Sequence, residues 1–285
     1  MSEANYCDSH LHVVADPAHP TLSAHRTYTP GVATLDAVRG LGAPFGVTRF
    51  VIVQPSFYGT DNSVTLEALD RLGANGRGVA VIDPAKTAPA ELDGYARRGI
   101  RGLRLNLYSP LQGDPQGAPA DRLASLAAVA KVMDWHLQVI SPLGELVRHA
   151  EVIERAGVPV VIDHYGVPIG ATPGGRDGAR LLRLLAMPHV WVKLSAPYRA
   201  STNDLETHPH KGWLAAILAV AAERCVWGSD WPHTPRHVRH QSQPPLLPYR
   251  PIRYADTLEH FIDALPSRDL VSRILRDNPA RLYRF

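Results

Sequence analysis

The stretch Cys7-Asp8-Ser9-His10-Leu11-His12 decides between two α/β architectures. Strand side chains alternate faces, so His10 and His12 share one face, with Asp8 below them. In a doubly wound sheet the first strand leads into a Gly-rich phosphate turn. Here it leads into imidazoles, and no GxGxxG follows any candidate strand. A barrel is the alternative, because its strands present polar side chains at their C-terminal ends.

Working outward, apolar β-branched runs recur at residues 6–13, 49–54, 78–82, 102–106, 136–140, 159–163, 190–195 and 225–229. Helical patterns separate them at 35–41, 63–72, 89–98, 121–133, 144–156, 178–185 and 213–223, and two more follow at 255–265 and 268–277. Eight strands alternating with helices predict a (β/α)8 TIM barrel, one α/β domain over residues 1–285. The loops at 16–32 and 233–254 are long and rich in Pro, His and Arg, and are expected to cover an active site.

Composition excludes several function classes. Of 285 residues, 45% are hydrophobic, enough for one large core. The net charge is +3, with acids and bases interspersed and no long Lys/Arg run, so nucleic acid is not an expected partner. No apolar run approaches the ~20 residues of a membrane helix, and no secretory leader is visible. The two cysteines, Cys7 and Cys225, are too few for a disulfide framework; they fit core positions and a reducing cytoplasm. Nothing in the sequence sets an oligomeric state.

Polar residues gather at the strand ends. The first offers Asp8, His10 and His12; the second Ser56; the fourth Arg104 and Asn106; the sixth Asp163 and His164; the seventh Lys193, with Arg199 beyond it; the eighth Asp230. Asp230 suits a helix N-cap as well as a catalytic base. Lys193 reads as a structural partner of a neighbouring acid. An Arg104 pointing into a barrel requires a partner or an anionic ligand, because an unpaired buried charge is costly.

At these residues the chain resembles the amidohydrolase superfamily, and within it the amidohydrolase-2 branch that includes the 2-pyrone-4,6-dicarboxylate lactonases. The segments that carry the resemblance are DSHLHV, RTYTPG, FVIVQPSFYGTDN, GIRGLRLNL, VIDHYG, VWVKLSAPYR and WGSDWPHT, spanning Asp8 to Thr234. The resemblance implies hydrolysis of a carboxylated lactone. The candidates are a 2-pyrone-4,6-dicarboxylate, a muconolactone (sulfonated or not) and a sugar-acid lactone. Asp230 would take a proton from water, and His10, His12 and His164 would polarise the carbonyl. Arg104 and Arg199 would hold a carboxylate. Tyr28 and Ser56 match positions that bind a second carboxylate. Two departures reshape the pocket: Pro110 and Ile140 stand where the pyrone enzymes carry an Arg and a Tyr. Arg236 could restore one charge.

The resemblance also implies a reaction that needs no metal. The alternative is one Zn²⁺ or Mn²⁺ at His10, His12, His164 and Asp230. A binuclear site lacks its fourth-strand bridging Lys or Glu and its fifth-strand His. A metal-dependent decarboxylase and a lactone isomerase are the rival activities.

Overall fold

In the computed structural model, residues 4–16, 21–109, 117–236 and 244–285 are described; Pro110 and part of each long loop fall outside them. The eight apolar runs become strands β1 (Tyr6–Leu11), β2 (Val47–Val53), β3 (Gly76–Ala80), β4 (Ile100–Asn106), β5 (His136–Ile140), β6 (Val160–Ile162), β7 (Val190–Ser195) and β8 (Cys225–Gly228). They pair in chain order, and every pairing is parallel. The sheet closes just past β8: Asp230 N donates to His10 O and His12 N to Trp231 O, each at 2.8 Å. That approach requires Gly228, because a Cβ there would lie 2.5 Å from His10 Cβ and 2.7 Å from His10 N. The result is the expected (β/α)8 barrel.

The connecting helices α1 (Leu35–Gly42), α2 (Ser63–Leu72), α3 (Pro89–Arg97), α4 (Pro119–Met133), α5 (Leu143–Arg148), α6 (Ala150–Glu154), α7 (Arg176–Leu185) and α8 (Lys211–Ala221) pack outside the strands. α9 (Tyr254–Ala264), α10 (Arg268–Ser272) and α11 (Asn278–Tyr283) follow. Local chemistry sets their ends. Thr34 caps α1 by accepting from Ala37 N at 3.2 Å, and α3 and α4 begin with Pro, whose missing N–H costs nothing at a first turn. The helix expected at 144–156 is divided at His149, which leaves helical geometry at φ −100°, ψ 15°. In α7, Leu181, Leu184 and Leu185 are buried, the i, i+3, i+4 spacing of one face. Among the described residues no helix is long and apolar enough to cross a membrane.

Inside the barrel, Cys7, Val51, Val53, Val79, Val161, Trp191 and Val226 pack together with Leu282 and Tyr283, forming an apolar floor. Above it lie Gln138, Lys193 and Asp163, all buried. One expectation about β1 is corrected here. Asp8 pairs with Phe50 but Leu11 with Ile52, so three residues of β1 span two of β2. This bulge breaks the alternation. The Asp8 carboxylate therefore turns away from the mouth: it accepts from Ser229 N at 2.9 Å, Ser229 Oγ at 2.6 Å and the Tyr254 hydroxyl at 3.2 Å. The same offset turns His10 and His12 together toward the barrel axis.

Candidate active site

His10 and His12 come from β1, His164 follows β6 and Asp230 follows β8. The structure brings these four together: His10 Nε2, His12 Nε2 and His164 Nε2 lie 3.4, 3.5 and 3.9 Å from one atom, Asp230 Oδ1. All four are buried. The turns that present them are strained, with positive φ at His164 (50°), Ala196 (49°), Asp230 (58°) and His233 (63°). Such backbone costs of order 1–3 kcal/mol per residue and persists where surrounding packing fixes it.

Each ring is anchored by its other nitrogen. His12 Nδ1 lies 2.7 Å from Val53 O, His164 Nδ1 2.8 Å from Ser195 Oγ, and His10 Nδ1 3.3 Å from both Asp163 Oδ1 and Lys193 Nζ. A backbone carbonyl only accepts, so His12 Nδ1 carries a proton and donates to Val53 O, which leaves His12 Nε2 facing Asp230 Oδ1 at 3.5 Å. Burial holds the other two rings neutral: His164 is pulled down to about 4, and His10 falls well below its ordinary value, with Lys193 adding to the effect. Asp230 moves the opposite way to its burial. Desolvation pushes it up, but the Arg199 charge and the surrounding imidazoles hold its carboxyl well below the usual range.

That arrangement answers the metal question. Three imidazole nitrogens converge on one carboxylate oxygen, and among the described residues neither His10 Nε2 nor Asp230 Oδ1 has a hydrogen-bond partner. Buried polar atoms left so are costly unless a cation joins them. His10, His12 and Asp230 have donor atoms mutually within 4.8 Å, as do His10, Asp163 and His164. In the second group the Lys193 ammonium already stands 3.3 Å from His10 Nδ1 and 3.8 Å from Asp163 Oδ1, so the first is the candidate cation site. Nitrogen and carboxylate donors of this kind suit Zn²⁺ or Mn²⁺. The metal-free expectation is thereby corrected: it rested on resemblance, whereas these donors have the composition and spacing of a metal site.

The remaining candidates divide. Tyr28, Ser56, Arg104, Arg199 and His12 line one small cleft, and Ile140 forms part of its wall. An adjoining cavity of about 190 Å³ shares Ser56, Arg104 and Asn106 with it. We place the chemistry at the smaller cleft, which contains His12. Arg104 donates from Nη1 to Gln54 O at 3.0 Å. Arg199 is engaged with protein groups: its Nε donates to Asp230 Oδ2 and its Nη2 to Thr234 Oγ1, both at 2.7 Å. Arg236 stands outside the cleft, 56% exposed and paired with Asp204 at 2.6 Å.

Sequence reasoning missed two contributors. Tyr198 donates its hydroxyl to Asp230 Oδ2 at 2.7 Å, and Tyr108, after β4, lines the cleft. Tyr198 sits beside Arg199 within the VWVKLSAPYR segment, which was its available signal. Asp163 and Lys193 also reach the site, through His10. Burial pulls the Lys193 ammonium down to about 8, with Asp163 opposing that shift.

Comparison with known proteins shows the family and the fold. A family model described as Amidohydrolase matches residues 7–285. The 4-sulfomuconolactone hydrolase of Rhizobium radiobacter is 30% identical over 279 residues, 97% of this chain and 89% of that protein. A solved structure of a probable 2-pyrone-4,6-dicarboxylic acid hydrolase from Acinetobacter baumannii, with citric acid bound, is 27% identical. It superposes with a TM-score of 0.78, covering 99% of this chain and all (100%) of that one. An amidohydrolase from Burkholderia multivorans, solved with bound zinc, shares the fold at a TM-score of 0.69 and 20% identity, over 98% of this chain and 99% of its own.

Proposed function

The chain belongs to the amidohydrolase family, and on that premise we propose that it hydrolyses a carboxylated lactone. One observation carries the reading: His12, which lines the same cleft as Arg104, faces Asp230 Oδ1 through its Nε2 at 3.5 Å. A site of that kind combines cation donors, a carboxylate base and an anion anchor. The lactones hydrolysed by the relatives, a sulfonated muconolactone and a pyrone dicarboxylate by name, suit such a cleft.

His10, His12 and Asp230 would hold the cation, with His164 beside them. A bound Zn²⁺ or Mn²⁺ supplies polarisation of the ester carbonyl and a lower pKa for water. Asp230 accepts the proton of the attacking water and returns it to the ring oxygen that leaves. Its Oδ2 stays fixed meanwhile by Arg199 and Tyr198, which keeps Oδ1 aimed at the reacting atoms. Arg104 anchors a substrate carboxylate, with Tyr28 and Ser56 on the facing wall. Arg199, by this reading, positions the base more than it binds substrate. The adjoining cavity beyond Arg104 leaves room for the rest of the ring.

The test is ring opening by protein loaded with Zn²⁺ or Mn²⁺, followed by ultraviolet absorbance on 2-pyrone-4,6-dicarboxylate and 4-sulfomuconolactone. At least one should open, and Asp230→Asn should lower kcat by roughly 10²–10⁴-fold. Closed rings for both substrates, release of CO₂ in place of ring opening, or near-normal turnover by Asp230→Asn would refute the proposal.

A further inference from the structure

Four buried side chains close a ring beneath the donors. Gln138 Nε2 donates to Asp163 Oδ2 at 3.0 Å, and Lys193 Nζ donates to Gln138 Oε1 at 2.7 Å. Lys193 Nζ and Asp163 Oδ1 then each stand 3.3 Å from the same atom, His10 Nδ1. The amide orientation of Gln138 is fixed by this circuit, since its oxygen faces an ammonium and its nitrogen a carboxylate. His10 Nδ1 is left with two opposed partners. It can accept from Lys193 or donate to Asp163, but one neutral ring nitrogen cannot do both.

We infer that Asp163 and Lys193 are positioning residues that select which ring nitrogen of His10 carries the proton, and thereby whether Nε2 can ligate a cation. This inference rests on the cation site described above. In the empty site, Lys193 donates to bare Nδ1, and His10 Nε2–H points at Asp230 Oδ1, 3.4 Å away. In the loaded site, Nε2 gives up that proton, Nδ1 carries one and donates to Asp163 Oδ1, and Nε2 offers its lone pair. The ring's proton count and charge are the same in both forms. Asp163 Oδ1 already has His10 Nδ1 at 3.3 Å and Lys193 Nζ at 3.8 Å, and the loaded form turns the His10 proton toward it. Asp163 therefore favours the loaded site and Lys193 the empty one. The pairs Asp163/Lys193 and Asp230/Arg199 also balance four buried charges before a cation enters. The chain's own residues thus set the cation affinity through a proton position on one imidazole.

The experiment uses the whole protein and Zn²⁺ alone. Long-range ¹H–¹⁵N correlation spectra of uniformly labelled protein distinguish the two imidazole tautomers, and the His10 peaks are those lost in His10→Gln. The expected result is an Nε2–H ring without zinc and an Nδ1–H ring with one equivalent. An Nδ1–H ring in both states overturns the inference without any variant having to fold. Chelator competition provides the second measurement. Asp163→Asn should weaken zinc binding by roughly 10–100-fold, the range for outer partners of metal-bound histidines; Lys193→Met should strengthen it. If wild-type protein holds zinc and both variants bind it equally well, the inference fails alone. If wild-type protein holds none, the cation site fails and takes the inference with it.

Discussion

Replacing Gly228 by Ala tests the barrel seam and the site together. The new methyl carbon would lie 2.5 Å from His10 Cβ, 2.7 Å from His10 N and 3.0 Å from His10 Cα. Two of those neighbours are backbone atoms in the strand that closes the barrel, so no side-chain rotation relieves the overlap. Overpacking typically costs ~1–3 kcal/mol, and a clash with backbone belongs at the upper end, about 3 kcal/mol. At roughly 2–4 °C per kcal/mol for a large domain, Tm should fall by about 6–12 °C. His10 is the residue displaced, so zinc affinity should fall as well. Gly40→Ala is the control: Gly40 lies inside α1, a methyl there would meet nothing within 4 Å, and the change should raise stability by ~0.5–1 kcal/mol. The assay is a thermal melt by circular dichroism with a parallel zinc competition. A Gly228→Ala protein that melts within ~1 °C of wild type and keeps its zinc affinity would show that β1 and β8 do not meet as described.

Other consequences are open to simpler measurements. Arg104→Met should raise KM by roughly 10–100-fold and change kcat less, since a charge-assisted anchor is worth ~1.5–3 kcal/mol; a selective kcat loss in steady-state kinetics would move Arg104 into the chemistry. Tyr198→Phe removes the 2.7 Å bond to Asp230 Oδ2 and should lower kcat by about 10–100-fold with little change in Tm; unaltered kcat would leave Arg199 as the sole anchor of the base. Exhaustive chelation should abolish hydrolysis and added Zn²⁺ or Mn²⁺ restore it, whereas surviving activity would contradict the cation site. Burial pushes the Cys7 thiol up to about 12 and Cys225 in the same direction, so both stay protonated through the neutral range. A thiol titration with Ellman's reagent at pH 8 should find neither reactive in folded protein and both reactive after denaturation; one fast thiol in the native state would refute their burial.

The architecture was legible because its cause is local. Strand periodicity, helix amphipathicity and Pro or Gly punctuation each act within a few residues, and the eight strand runs, the shared face of His10 and His12, and the strand-end places of Asp230 and His164 followed from them. The sequence also showed that Arg104 belongs to a barrel strand. What it could not show depended on partners far away along the chain. The β1 bulge, a matter of register against β2, sent Asp8 to Ser229 and Tyr254 instead of the mouth. Arg199 looked like a substrate anchor until its Nε was found on Asp230, and Arg236 until it was found on Asp204. The metal-free expectation gave way for the same reason. Three candidate donors from β1 and the end of β8, with His164 after β6 beside them, meet only in the closed barrel, with each ring turned by a group that sequence distance hides: Val53, Ser195, Asp163 and Lys193.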